Sequence, residues 1–167
     1  QTINIFLRLI DTKAIIVPLT KDTKNQHEIF FEVACVNWTI ENGIIKKRTT
    51  KKKNKLIEKL KSEKKTGLIL FSSGTTGEPK AILHDFEIFR ERYKVRRPTL
   101  RTINFLLFDH IGGLNTMFHT LFNKGLIVAP EKRSLDNILS VCKKYDVELL
   151  PTTPTFLRML LLSGMIP

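Results

Sequence analysis

The sequence predicts an α/β fold, a largely parallel sheet flanked by helices. Three observations carry this. Short continuous apolar runs, "LILF" at 68–71, "INFLLF" at 103–108, "LIVA" at 126–129 and "VELL" at 147–150, have the length and character of strands buried on both faces. Between and after them, apolar residues recur at helical spacing: Phe86, Phe89 and Tyr93; Leu114, Met117, Phe118, Leu121 and Phe122; Leu135, Ile138, Leu139 and Cys142. The chain has 167 residues, 42% of them hydrophobic, enough for one compact domain with a core.

Taken in order, Leu7, Leu9 and Ile10 mark a first helix ending near residues 11–13. "AIIVPL" at 14–19 reads as a short buried strand closed by Pro18. Residues 20–27 form a polar loop. "EIFFEVACVNWTI" at 28–40 is rich in β-formers and predicts a strand, and Asn42 with Gly43 signals a hairpin turn into Ile44 and Ile45. Residues 46–55 read as a basic loop, and Leu56, Ile57 and Leu60 as one face of a short helix. "LILF" is followed by a second strand, "KAIL" at 80–83. Gly125 is placed just past the end of the helix that carries Leu114. Ser134 caps the next helix. Thr153 at N-cap, Pro154 at N1 and Gly164 past the end bound the last one.

Composition excludes several classes. No run of 18 apolar residues exists, so no membrane span is expected. Residues 1–8 do not read as a signal peptide. Cys35 and Cys142 are two lone thiols in apolar company, which points to buried structural roles in a reducing compartment rather than a disulfide or zinc scaffold. A cytoplasmic protein is expected. The chain starts with Gln and stops at "LLLSGMIP", which reads as a piece of something longer. The net charge is +12, and nine of those charges come from residues 46–65, where eleven Lys and Arg face only Glu58 and Glu63. Clustered lysines suit phosphate neutralisation, so a basic nucleic-acid-binding module is one alternative. No aromatics interleave these lysines, so a solvated loop and helix face is the preferred reading and no nucleic-acid partner is expected.

"FSSGTTGEPKAILH" at 71–84 carries the chemistry. Gly74 and Gly77 let the backbone turn and approach a ligand. Successive N–H groups in such a turn make a concave anion site. Ser72, Ser73, Thr75 and Thr76 add hydroxyl donors, and Lys80 adds a charge suited to phosphate. The composition indicates polyphosphate. It is not a Walker A loop, because Lys80 follows Pro79 and precedes Ala81. It is not a serine hydrolase elbow either, since G-x-S-x-G is absent there.

The stretch resembles the signature loop of the adenylate-forming superfamily, which includes acyl- and aryl-CoA synthetases, nonribosomal peptide adenylation domains and luciferases. The family pattern is an aromatic followed by SSGTTGxPKG, usually with a His a few residues on. Ala81 replaces the usual Gly, and His84 fits the later position. "LLFDHIGGLNTMFHTLF" at 106–122 resembles the next family motif, an apolar strand ending in His-x-x-Gly-Leu. His110, Gly113 and Leu114 fit it, and Asp109 is similar to the Asp-His-x-Gly-Gly-Leu version of the fatty-acyl branch. "AIIVPLT" and "LLPTTPTFLRMLLLSG" resemble flanking family stretches more weakly, and residues 20–66 match poorly.

The resemblance implies part of the large N-terminal domain of an AMP-forming carboxylate ligase over residues 1–167, with a basic loop and helix at 46–65 and no C-terminal domain. It implies ATP, Mg²⁺ and coenzyme A or a carrier-protein phosphopantetheine as cofactors, and a fatty or aryl carboxylic acid as substrate. Ser72, Ser73, Gly74, Thr75, Thr76, Gly77 and Lys80 would bind the nucleotide. His110 would be catalytic, and Asp109, Gly112 and Gly113 would line the acid pocket. No metal-ligating residue is assigned. The family's adenine-side motif, aromatic-Gly-x-Thr-Glu, its ribose-binding Asp and its C-terminal Lys find no counterpart, so the 167 residues are expected not to complete adenylation alone. A non-catalytic nucleotide-binding remnant is the other alternative.

Overall fold

The computed structural model describes residues 2–73 and 79–165. The chain divides into two compact units, Gln1–Arg92 and Tyr93–Pro167.

The first unit is built on a three-stranded sheet in the order β1-β4-β5. Helix α1 (Thr2–Asp11) buries Phe6 and leads into β1 (Ile15–Ile16). β1 runs parallel to β4 (Gly67–Ser73), with Ile15 opposite Gly67. β5 (Pro79–Asp85) returns antiparallel to β4. The central position of β4 explains its apolar run: Leu68, Ile69 and Leu70 are all buried. The buried Thr66 fastens the strand's entrance, its hydroxyl donating to the Ile10 carbonyl at 3.0 Å while its own carbonyl accepts from Phe86 N–H at 3.0 Å.

Residues 28–40 differ from the expected strand. A 3-10 helix (Lys21–Gln26) runs into α2 (His27–Val33), and only β2 (Trp38–Glu41) is extended. The β-forming Ile, Phe and Val residues are overridden by packing. Phe30 stacks on Phe71 of β4 at 4.1 Å, and Ala34 and Cys35 join a core with Ile57 and Ile69. Glu28 and Glu32, one helical turn apart, pair with Arg48 and Lys52. β2 pairs with β3 (Ile44–Lys47) through the predicted turn, where Asn42 and Gly43 adopt φ of 50° and 81°. Lys46 and Lys47 therefore belong to a strand rather than to the expected loop. Asn54 caps α3 (Lys55–Ser62), its Oδ1 accepting from Leu56 N–H at 2.9 Å. Ile57 and Leu60 are buried, but Leu56, expected on the same face, is exposed. α4 (Phe86–Glu91) closes the unit and buries Phe86 and Phe89.

In the second unit β6 (Arg101–Ile103) pairs in parallel with β7 (Leu126–Val128), and Thr102 makes a parallel bridge to Leu149. "VELL" thus contributes a bridge rather than a full strand. The expected strand at 103–108 stops at Ile103, and the backbone turns before α5 (Ile111–Phe122). Leu114, Met117 and Phe118 of α5 are buried as the spacing predicts. The left-handed residue after α5 is Lys124, with φ of 59°, and not Gly125. Tyr93, expected to extend α4, instead stacks on Phe122 at 5.2 Å. α6 (Leu135–Lys144) and α7 (Pro154–Ser163) pack Ile138, Phe156 and Leu160 against Ile103 and Phe105. Thr153 caps α7 by accepting from Phe156 N–H at 3.2 Å, and Gly164 is left-handed as predicted. Ser134 occupies the N-cap of α6 without a capping side-chain hydrogen bond.

Both crossover-type pairings, β1 with β4 and β6 with β7, are parallel as expected, and the antiparallel pairs are the two hairpins.

Candidate functional site

The hydroxyl- and glycine-rich stretch joins β4 to β5. Gly74, Thr75, Thr76 and Gly77 lie outside the described residues, as does the side chain of Ser73. The residues at its root are placed by strand register. Ser72 is directly opposite Lys80, and Ser73 opposite Pro79. Directly paired residues share one face of the sheet. Ser72 and Lys80 are both exposed, so a hydroxyl and an ammonium sit side by side at the carboxyl end of a buried strand. Phe71 and Ala81 form the next pair, and Phe71 is held by the stack with Phe30.

The other end of β5 is pinned. Asp85 Oδ1 accepts from Glu87 N–H at 2.9 Å and so caps α4. Its Oδ2 lies 3.1 Å from Lys65 Nζ, which also reaches Glu63 at 2.9 Å. Burial raises the Asp85 carboxyl, but the Lys65 ammonium and the cap N–H together hold it below the usual carboxylate range. His84, half-buried with its ring 6.1 Å from Phe89, is pushed below the usual imidazole range by burial and then by Arg92. It is therefore a neutral imidazole near pH 7. Sequence reading missed Asp85. The signal was an Asp directly after a strand and before Phe86, the pattern of an N-cap.

In the second unit the turn before α5 carries the other motif. His110 is the N-cap residue of α5 with extended backbone, its ring exposed and making no capping bond. Asp109 beside it is buried, and its Oδ1 lies 3.7 Å from His110 Nε2. The two glycines have different environments. A Cβ on Gly113 would fall 2.1 Å from the Leu107 carbonyl oxygen and 2.7 Å from that of Leu106. A Cβ on Gly112 would meet nothing nearer than 3.7 Å. Gly113 is thus where helix and preceding turn touch backbone to backbone, whereas Gly112 is exposed. Asn104, also missed, donates from Nδ2 to the Gly113 carbonyl at 3.4 Å, and its buried Oδ1 has no partner among the described residues. The signal was a lone amide inside an apolar run. Among the described residues no three His, Cys, Asp or Glu side chains gather as a metal site.

A family model described as "AMP-binding enzyme" matches residues 1–167. The chain belongs to the AMP-binding enzyme family. This is the adenylate-forming group that the two motifs resemble. A search of curated proteins gives no match. Among solved structures, the luciferase-like enzyme from the nonluminescent mealworm Zophobas morio matches 98% of this chain and 41% of its own, at 17% identity and a TM-score of 0.52, which shows the family fold. The o-succinylbenzoate CoA synthetase MenE from Bacillus subtilis, solved in complex with the acyl-adenylate intermediate OSB-AMP, is matched over 58% of this chain and 27% of its own, at 23% identity and a TM-score of 0.49. The amide bond synthetase McbA from Marinactinospora thermotolerans is matched over 56% and 20%, at 23% identity and 0.46. The chain spans between 20% and 41% of the length of these family structures.

Proposed function

We propose that this chain supplies the polyphosphate-binding and acid-pocket parts of an AMP-forming carboxylate ligase. The reaction joins a carboxylic acid and ATP into an acyl-adenylate with release of pyrophosphate, and then passes the acyl group to a thiol of coenzyme A or a carrier protein. The single observation that carries the reading is the Ser72–Lys80 pair at the root of the hydroxyl- and glycine-rich stretch.

The chemistry asks for such a pair. A carboxylate must attack the α-phosphorus of a polyanion, and the leaving pyrophosphate develops charge. Fixed donors around the outer phosphates lower that barrier without reorganising. The Ser72 hydroxyl and the Lys80 ammonium are a donor and a cation on one sheet face, held by a strand whose interior is buried. Ser73, Gly74, Thr75, Thr76 and Gly77 would complete the phosphate cradle. His110, exposed at the positive end of α5, would meet the acid's carboxylate, with Asp109, Gly112 and Gly113 shaping the turn that presents it. Mg²⁺ supplies charge neutralisation when bound, but the described residues offer no cluster to hold it, and that share is not assigned to this chain. The acid is proposed to be fatty or aryl, the fatty side resting on the Asp109–His110 version of the motif.

The test pairs ATP titration calorimetry with exchange of labelled pyrophosphate into ATP, run over a panel of fatty and aryl acids. The 167 residues are expected to bind ATP more tightly than AMP and to show no acid-dependent exchange. Acid-dependent exchange would show that these residues suffice for adenylation and would remove the partial-site reading. Equal affinity for ATP and AMP would remove the polyphosphate site.

A further inference from the structure

We propose that the β2–β3 hairpin and the basic segment that follows it form a docking surface for an anionic lipid membrane. The inference is independent of the ligase reading. It starts from a mismatch between composition and burial. β2 and β3 carry Trp38, Ile40, Ile44 and Ile45, yet no residue of either strand is buried. Trp38 is 57% exposed, Ile44 61% and Ile45 63%. Scattered apolar residues on a surface need no explanation, but four on one ten-residue hairpin, Trp38, Ile40 and Ile45 on one face and Ile44 on the other, are a concentration that does.

The register arranges them along a gradient. From the turn outwards the pairs are Glu41 with Ile44, Ile40 with Ile45, Thr39 with Lys46, and Trp38 with Lys47. The isoleucines therefore cluster at the tip, and the tryptophan and lysines lie at the base. Trp38, Ile40, Ile45 and Lys47 share one face, and the Lys47 ammonium lies 5.8 Å from the Trp38 ring centre. An apolar tip with a Trp and cations behind it matches the depth profile of a lipid interface, with hydrocarbon first, then the headgroup belt favoured by Trp, then the anionic surface. Glu41 is the one acidic group on the hairpin and opposes this attraction.

The chain beyond β3 adds the charge. Arg48 N–H donates to the Asn37 carbonyl at 2.7 Å, extending the hairpin by one step. Arg48 and Lys52 are paired with Glu28 and Glu32 of α2. These two pairs tie the segment to the unit. Among the described residues, no ion pair engages Lys46, Lys47, Lys51, Lys53 or Lys55, and every residue of 46–56 except Arg48 and Thr50 is exposed. Five cations without an ion pair among the described residues, beside an apolar tip, are complementary to an anionic bilayer. A nucleic acid fits less well. It has no use for Ile40, Ile44 and Ile45, and one Trp attended by its own lysine is a poor stacking platform.

Trp38 is the single tryptophan, so its emission reads this surface directly. The experiment titrates the whole chain with phosphatidylcholine vesicles with and without phosphatidylserine. The expected result is a blue shift of Trp38 emission, quenching by bromine-labelled acyl chains, and release as salt rises from about 0.1 to about 1 M, where the Debye length shrinks from about 10 to about 3 Å. None of these is expected on phosphatidylcholine alone. Replacing Lys51 and Lys53 together by Gln should weaken vesicle partition about twenty-fivefold, at about fivefold per lysine. Ile44→Ser with Ile45→Ser should abolish quenching while circular dichroism shows the fold retained. Unmoved Trp38 emission on anionic vesicles overturns the proposal. So does a shift that appears with protein concentration alone, which would mean a second copy covers the patch. Tight, lysine-dependent binding of oligouridylate with no vesicle response would assign the surface to RNA instead.

Discussion

The two motif-bearing stretches, β4 with β5 in the first unit and the entrance to α5 in the second, hold their exposed residues in opposite ways. β4 is anchored by side chains: Leu68, Ile69 and Leu70 are buried, and the strand then delivers Ser72 and, through its partner, Lys80 to the surface. The entrance to α5 is anchored by the lack of a side chain, because Gly113 lets two carbonyls of the preceding turn approach the helix. Side-chain anchors tolerate exchange at similar volume, since a core can relax around them. A backbone contact has no such slack.

The largest expected effect therefore comes from the smallest change. Gly113→Ala places a methyl 2.1 Å from a backbone oxygen, and should destabilise by about 4 kcal/mol or more, read as loss of the folding transition in urea. Gly112→Ala, one residue away in open space, should be neutral or stabilise by up to about 1 kcal/mol through helix propensity. Equal effects at the two glycines would break the comparison. Next is Ile69→Ala in β4, with an expected loss of about 2–5 kcal/mol, against about 0.5–1.5 kcal/mol for Ile69→Val. Asp85→Ala removes the α4 cap and should cost about 1 kcal/mol.

The pH dependence sharpens the same contrast. The folded pKa of His84 lies below its ordinary 6.5, so the fold favours the neutral ring. Its contribution is complete above that value and is lost as pH falls below it. Asp85, held below its ordinary 3.8, contributes above that pH and is lost as pH falls further. Thermal melts of the chain should decline first below about pH 6.5 and again below about pH 4. His84→Gln should flatten the first limb, and Asp85→Asn should lessen the second, which Glu32 beside Lys52 and Glu63 beside Lys65 share.

Much of this was legible in the sequence for physical reasons. β4 shows as a continuous apolar run because it is central, α5 as a periodic stripe because one face is buried, and the β2–β3 turn because Asn42 and Gly43 both need positive φ. The misreadings share a cause. Residues 28–33 have strand-like composition, but Phe30 is needed against Phe71 and the two glutamates against Arg48 and Lys52, contacts that no local pattern shows. Residues 105–108 are apolar but leave the sheet, because the turn before α5 brings the Leu106 and Leu107 carbonyls against Gly113. The motif residues were legible by type, whereas the roles of Asp85 and Asn104, which hold the two motif-bearing stretches, became evident from hydrogen bonds.

The central claim is that Lys80, set across from Ser72, engages the phosphates of ATP. The direct measurement is ATP affinity of the chain by calorimetry, compared with Lys80→Ala at matched ionic strength, with melting temperature as the control. Lys80 is exposed, so the melting temperature should stay within a degree or so while affinity falls about ten- to a hundredfold, the worth of a charge-assisted hydrogen bond. Unchanged ATP affinity in a folded Lys80→Ala chain would contradict the account.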